Sequence, residues 1–118
     1  MPHLTLHTNV SRDEIPDDFL TTTTKIIFEM IGLPEKYIVV NVIPDQIMSF
    51  GGCTKPCGNA FLTSIANLGV QENKNLTKAI MEHVKKTLGI EPTRMLLTFN
   101  DAKGMDVGHN LTTFAPDQ

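Results

Sequence analysis

Apolar residues recur with the period of an α-helix in two separate stretches of the chain. Helical spacing is indicated because residues three and four positions apart share one face of a helix. The first stripe comprises Ile15, Phe19, Leu20, Ile26, Ile27, Met30 and Ile31. The second repeats every four residues, at Leu76, Ile80, Val84 and Leu88. Two amphipathic helices packed against one core are therefore predicted.

Both predicted helices end in the same way, with a glycine followed shortly by a proline. Gly32 precedes Pro34, and Gly89 precedes Pro92. Glycine adopts the left-handed backbone that closes a helix, and proline cannot continue one. Each stretch therefore has a well-defined C-terminus.

The start of the first helix admits two interpretations. Ser11 and Glu14 have the spacing of a capping box, in which each side chain bonds a free backbone N–H of the first turn. Pro16 instead favours a first regular turn at that residue, where its missing N–H does no harm.

A strand is predicted before and after each helix. Residues 37–43 and 95–99 are rich in apolar side chains, with β-branched residues dominating the first run. Residues 4–10 are echoed by 62–68, each ahead of a helix. Two strand–helix–strand units, each about half of the chain, predict an α/β fold of the α+β kind, with a four-stranded mixed sheet and two helices on one face. We expect residues 1–118 to form one domain of two pseudo-repeats.

The sheet is predicted to be apolar on both of its faces. Side chains alternate along a strand, so consecutive apolar residues point to opposite sides. Such residues are Val39, Val40, Val42 and Ile43 in one strand and Met95, Leu96 and Leu97 in another. Two helices cover only one face. We therefore predict a homo-oligomer in which the sheets face inward.

Charge and composition exclude several partners. The 118 residues carry 10 Lys and Arg against 13 Asp and Glu, a net charge of -3. Such a surface offers little attraction to nucleic acid. No apolar run approaches the roughly 20 residues of a membrane span, and the amino terminus lacks the features of a signal peptide. We expect a protein made in the cytosol that does not insert into membranes.

Cysteines and histidines give no strong pattern. Cys53 and Cys57 are too few for a disulfide scaffold, and reduced thiols are the expectation. The four histidines lack the paired spacing of a metal site, and no metal is predicted. They are His3, His7, His83 and His109.

Pro2 is the residue with the most distinctive chemistry. It follows the initiator Met1, which is normally removed ahead of a small residue, leaving a free secondary amine. Such a nitrogen can act as a base near neutral pH where burial disfavours its charged form. Proline at this position is otherwise common and can mean only an irregular terminus.

The whole chain, with nearly constant spacing, resembles the macrophage migration inhibitory factor (MIF) family of the tautomerase superfamily, which includes D-dopachrome tautomerase. The matching positions are Pro2, the runs at 8–10, 16–20 and 44–52, the pair Ser64 and Ile65, and the tail at 107–114. The resemblance implies a doubled βαβ unit that assembles as a homotrimer around a central channel. No cofactor is implied.

The resemblance implies a function for Pro2. In such proteins the terminal proline is the general base that interconverts keto and enol forms of phenylpyruvate- or dopachrome-type substrates, an intramolecular isomerase reaction. The resemblance thus implies a cytokine-like homologue with this activity, both cytoplasmic and secreted without a signal peptide. The alternative is an extracellular signalling protein that binds a cell-surface receptor and has a weak or vestigial tautomerase pocket.

Only some of the family's substrate-binding residues are matched in this chain. Ser64, Ile65 and Val107 match the family. The resemblance implies that Ile65 offers its backbone amide and apolar side chain to the substrate.

Three other positions of the implied pocket depart from the family. Leu33 replaces a lysine that binds the substrate's acidic group, and Leu96 replaces a tyrosine contributed by a neighbouring subunit. Thr98 replaces an asparagine on the same strand. We expect activity to survive but to weaken toward carboxylates more than toward their esters, since a charge-assisted contact is worth roughly 1.5 to 3 kcal/mol.

Thiol–disulfide exchange is also discussed for this family. Cys57 matches the first cysteine of the Cys-x-x-Cys motif, but the second position is Ala60. Redox catalysis is therefore not favoured.

Overall fold

A mixed four-stranded sheet forms the centre of the molecule. The structure is a computed structural model that describes residues 1–32 and 34–116. The strands are β1 (His3–Thr8), β2 (Val39–Ile43), β3 (Gly58–Ser64) and β4 (Met95–Asp101), in the spatial order β2-β1-β3-β4. β1 runs parallel to β2 and antiparallel to β3, and β3 runs parallel to β4. The predicted mixed sheet is confirmed.

Two helices pack against one face of this sheet. α1 (Phe19–Ile31) and α2 (Val70–Leu88) pack in one cluster with the inward side chains of β1, β3 and β4. α2 buries its whole predicted stripe, whereas Leu20 and Met30 of the stripe predicted for α1 are exposed. Gly32 and Gly89 end the two helices with φ of 77° and 73°, and their N–H groups donate to Phe28 and Lys85. The predicted glycine ends are confirmed. Neither helix is long and apolar enough to span a bilayer, nor is any other in the described part of the chain.

Of the two interpretations left open for the start of α1, the capping box was wrong. Arg12–Glu14 form a single 3₁₀ turn, and the Ser11 side chain makes no capping hydrogen bond. α1 begins only at Phe19, whose N–H donates to the Pro16 carbonyl at 3.0 Å. Pro16 has no N–H to donate, so a helix begun at Ser11 would lose one of its first bonds at this residue.

The strand boundaries also differ from the sequence prediction, most of all in β3. β3 covers Gly58–Ser64, four residues earlier than the predicted run at 62–68. The chain leaves the sheet after Ser64 and turns at Asn67, which has a φ of 63°. β2 begins at Val39, because Glu35–Tyr37 form a 3₁₀ turn.

The face of the sheet opposite the helices carries both apolar and polar side chains. Phe61 and Leu96 are 44% and 57% exposed, and Val39 is 54% exposed. Thr5 and Thr98 flank Phe61 on the neighbouring strands. The face is less uniformly apolar than the sequence suggested, and association through it stays a prediction.

The C-terminal residues form a small hairpin. β5 (Gly108–His109) pairs antiparallel with β6 (Thr112–Thr113), and Asn110 and Leu111 join them with φ of 51° and 69°. The N–H of Phe114 donates to the carbonyls of Gly104 and Val107, both at 3.1 Å. These bonds fix the hairpin to the turn that precedes it.

Candidate active site

Pro2 lies at the start of the central strand β1. The parallel pairing of β1 with β2 sets His3 opposite Val39. The Val39 N–H donates to the Pro2 carbonyl at 3.1 Å, and the Pro2 side chain is fully buried. The residue is therefore held firmly at the end of the sheet where the two strands begin.

A cavity of about 280 Å³ opens at this end of the sheet. It is lined by three segments, which are the amino terminus, the turn before β2 and the C-terminal hairpin. The lining residues are Met1, Pro2, His3, Lys36, Tyr37, Val39, Val107, Gly108, His109 and Phe114. None of them is acidic.

One wall of this cavity is aromatic. The Tyr37 ring is nearly perpendicular to the rings of His109 and Phe114, with centroids 5.4 and 5.9 Å away. The rings of His109 and Phe114 stack in nearly parallel planes, with centroids 5.5 Å apart. Edge-to-face and stacked pairs are the favoured arrangements of aromatic rings. The wall suits a flat, largely apolar ligand.

Lys36 brings a positive charge to the rim of the cavity. Its Nζ lies 5.0 Å from the centroid of the Tyr37 ring, within the range of a cation–π contact. Within residues 1–32 and 34–116, no carboxylate lies within 4.0 Å of this ammonium group. The lysine is exposed, so its charge is available to a bound anion.

The environment of the cavity disfavours a charged amine. Burial lowers the pKa of the Met1 α-amino group, because the ammonium form loses hydration that the cavity does not replace. Pro2 lies one residue further in and is more deeply buried than Met1.

Four of the predicted site residues divide between the cavity and its surroundings. Pro2 and Val107 line it together, although they lie at opposite ends of the chain. Ser64 is buried on the helix side of the sheet, where its hydroxyl donates to the Ala66 carbonyl at 2.8 Å. Ile65 is half-buried just beyond β3. Neither Ser64 nor Ile65 lines the cavity within one copy.

Two of the three departing positions lie outside the cavity. Leu96 and Thr98 are exposed on the outward face of the edge strand β4, which is separated from β1 by β3. They do not line the cavity of their own copy. Leu33 lies outside the described residues. The assignment of all three to substrate binding stays a prediction.

The sequence analysis missed most of the cavity wall. Lys36, Tyr37, His109 and Phe114 were given no role in the site. A usable signal existed for Lys36 and Tyr37, because parallel strands of one βαβ unit begin at the same end of the sheet. Residues just before β2 must therefore adjoin Pro2. For the hairpin, the resemblance to the family gave a partial signal, because it assigned Val107, directly before β5, to the site.

The cysteines lie away from Pro2, around the loop that follows β2. Both thiols are free, with Cys57 buried and Cys53 half-exposed. The pKa of Cys53 is lowered, chiefly by a hydrogen bond from the Lys55 backbone and further by the charges of Arg94 and Lys55. Among the described residues, no three His, Cys, Asp or Glu side chains are grouped to hold a metal ion.

The comparisons with known proteins agree on one family. The sequence profile of the macrophage migration inhibitory factor (MIF) family matches residues 1–115. The chain is 39% identical over 115 residues to macrophage migration inhibitory factor from Xenopus tropicalis, covering 98% of this chain and 100% of the relative. It is 38% identical over 114 residues to the Trichinella spiralis homologue, covering 97% of this chain and 100% of that protein.

Solved structures show the same fold. The structure of macrophage migration inhibitory factor from Trichinella spiralis superposes with a TM-score of 0.93 at 35% identity, covering 95% of this chain and 99% of that one. A homologue from Prochlorococcus marinus gives a TM-score of 0.89 at 24% identity, covering 96% and 99% respectively, and shows the fold alone. A doubled βαβ sheet with two helices on one face is thus the MIF-like fold. The chain belongs to the macrophage migration inhibitory factor family.

Proposed function

We propose that this protein is a tautomerase that uses the Pro2 nitrogen as a general base on small, enolisable aryl carbonyl compounds. The single observation that carries the proposal is the burial of Pro2 at the floor of a cavity with an aromatic wall. Family membership supports isomerase chemistry in general. The cavity supplies a reason for the choice of base.

The base has to be neutral before it can act. Once Met1 is removed, the Pro2 nitrogen is a secondary amine in a desolvated site, which favours its uncharged form at neutral pH. It takes a proton from the carbon between the aryl ring and the carbonyl. The electrons of that C–H bond form the C=C bond of the enol, and the π electrons of the carbonyl move to its oxygen. That oxygen takes the proton back from the protonated Pro2 nitrogen, which returns to its neutral form.

The aromatic wall would hold the substrate in place. Tyr37 and Phe114 both line the cavity, so an aryl group can pack against them while the carbon between that ring and the carbonyl faces Pro2. Holding reactant and base in one geometry removes part of the entropic barrier. The Val39 hydrogen bond limits the movement of Pro2 relative to this wall.

A homotrimer would complete the site. Leu96 and Thr98 are exposed on an outward sheet face and lie outside the cavity of their own copy. In the proposed assembly they reach the cavity of a neighbouring subunit. Light scattering of dilute protein should give three times the 13.1 kDa chain mass. A monomer mass would contradict this assembly.

The proposal is tested by measuring keto–enol exchange with phenylpyruvate for wild type and for Pro2→Gly. Intact mass spectrometry must first show that Met1 is absent. A correctly placed base contributes roughly 10² to 10⁴ in rate, and we expect the variant to lose a large part of it. Equal rates for the two proteins, both lacking Met1, would overturn the assignment of Pro2.

A second function is extracellular signalling through a cell-surface receptor, after secretion without a signal peptide. One observation favours a recognition surface outside the cavity. Leu111 is fully exposed at the tip of the hairpin, in a left-handed backbone conformation that leucine rarely adopts. If Leu111→Asn weakens receptor binding while tautomerisation is unchanged, the two functions use different surfaces. If Pro2→Gly abolishes both, they share the cavity.

A further inference from the structure

The charges around the Pro2 cavity are unevenly distributed. Lys36 stands on one side, at the turn before β2, and none of the ten lining residues is acidic. A second cavity adjoins this one through His3, Val107 and Gly108. That cavity is lined by Asp101, Asp106 and Lys103, which together leave one net negative charge. An anion bound near Pro2 is therefore favoured on the Lys36 side, where none of the ten lining residues is acidic.

The backbone that carries Lys36 is fixed. The Tyr37 N–H donates to the Pro34 carbonyl at 3.1 Å, and the Ile38 N–H donates to the Glu35 carbonyl at 3.0 Å. The two bonds close a 3₁₀ turn with Lys36 at its middle, and β2 follows directly. The cation–π contact with Tyr37 then directs the ammonium group along the aromatic wall. An aryl group on this wall would place an attached acid near Nζ.

We propose that Lys36 is the carboxylate-binding residue of the Pro2 cavity and sets its preference for aryl keto acids over their neutral esters. This inference rests on the proposed function, since it names the substrate class of the same site. It also revises the expectation drawn from Leu33. The sequence predicted weakened binding of carboxylates, whereas Lys36 supplies a cation from three residues further along the chain.

The kinetic test compares phenylpyruvate with its methyl ester in wild type and Lys36→Met, both with Met1 removed. An exposed lysine gives a modest ionic contact, so we expect kcat/KM for the acid to fall roughly threefold to tenfold, mainly through KM. The ester should change by less than about twofold, because it carries no charge for Lys36 to hold. Lys36→Arg should retain the preference for the acid.

A matched control is Lys74→Met, which removes an exposed lysine from α2 away from the cavity. It should leave the kinetics with both substrates unchanged.

The pH dependence of the rate gives a further test, because a purely structural effect of the substitution would not shift it. Removing a nearby cation favours protonated Pro2, so the rising limb of kcat/KM for the ester should shift to higher pH in Lys36→Met alone.

A binding measurement separates this inference from the tautomerase proposal. 4-Hydroxybenzoate has an aryl ring and a carboxylate but cannot enolise, so its binding, followed by NMR titration, needs no turnover. Weaker binding to Lys36→Met than to Lys74→Met supports the inference even if the protein turns over neither substrate. An unchanged acid-to-ester ratio together with equal binding by both variants would overturn it.

Discussion

The two ends of strand β1 are built in opposite ways. At its start, Pro2 faces an open cavity whose rim carries the cation of Lys36. At its end, the Thr8 hydroxyl donates to the Cys57 carbonyl at 2.7 Å. The Asn9 amide donates to the Thr54 and Lys55 carbonyls at 2.9 and 3.2 Å and accepts from the Cys57 N–H at 2.9 Å.

Arg94 adds hydrogen bonds at the Thr8 end of β1, which we call the closed end, whereas the Pro2 end is the open end. Its guanidinium donates to four backbone carbonyls of one loop, at distances of 2.9 to 3.4 Å. These carbonyls belong to Phe50, Cys53, Lys55 and Pro56. The guanidinium also lies 5.9 Å from the centroid of the Phe50 ring. Planar geometry and five donors suit arginine to such a role.

The difference lies in what the polar groups bind. At the closed end they satisfy backbone carbonyls, which would otherwise cost free energy wherever they are shielded from water. At the open end, the Lys36 ammonium and the proposed Pro2 amine face the cavity, where a ligand can reach them. Changes at the closed end should therefore affect stability, and changes at the open end should affect activity.

The largest effect is expected from blocking the Pro2 nitrogen. Fusing Gly-Ser ahead of Pro2 turns the amine into an amide, which cannot act as a base, so tautomerase activity should fall by roughly 10² to 10⁴. The melting temperature should change little. Protease cleavage that frees Pro2 should restore the rate. Full activity of the uncleaved fusion would mean that the open end is not the catalytic site.

The next largest effect is expected from removing the Arg94 guanidinium and its hydrogen bonds. Arg94→Met removes charge-assisted bonds to four carbonyls, and we expect the free energy of unfolding to fall by about 2 to 3 kcal/mol. Arg12→Met, at an exposed arginine, is the control and should be close to neutral. Urea denaturation measures both. If Arg94→Met instead lowered kcat/KM with stability unchanged, the separation of the two ends would be incorrect.

A smaller loss of stability is expected from Asn9. Asn9→Ala removes both the donor and the acceptor and should cost about 1 to 2 kcal/mol in urea denaturation. Asn9→Asp separates the two roles, because it keeps an acceptor for the Cys57 N–H but turns a carboxylate toward two carbonyls. We expect it to destabilise as well. A wild-type stability for Asn9→Asp would show that the donor bonds contribute little.

The smallest effect concerns the Cys53 thiol. Its lowered pKa makes the thiolate more abundant at neutral pH than in an ordinary thiol. The alkylation rate with iodoacetamide should therefore rise with pH to a midpoint below that of an unfolded cysteine peptide. Arg94→Met removes one of the charges that stabilise the thiolate, so the midpoint should move upward. A midpoint unaffected by Arg94→Met would leave the Lys55 backbone bond as the main cause.

Local signals determined the helices and their ends. A spacing of four residues predicts that apolar side chains share one buried face of a helix. This holds for Leu76, Ile80, Val84 and Leu88, which are all buried in α2. Gly32 and Gly89 end helices because of their own backbone freedom. The mixed sheet followed from two strand–helix–strand units. The capping box failed because Pro16, two residues beyond Glu14, controls where α1 can begin.

Only the tertiary structure decided the composition of the site. Pro2 could be singled out from its position and its chemistry, but Lys36, Tyr37 and Phe114 acquire a role only through their neighbours. The pairing of β1 with β2 brings the turn at Lys36 to Pro2, and the C-terminal hairpin adds Phe114 from the far end of the chain. Hydrophobic periodicity reports contacts within an element. It carries no information on which distant segments share a cavity, and the cavity is where the proposed substrate preference is set.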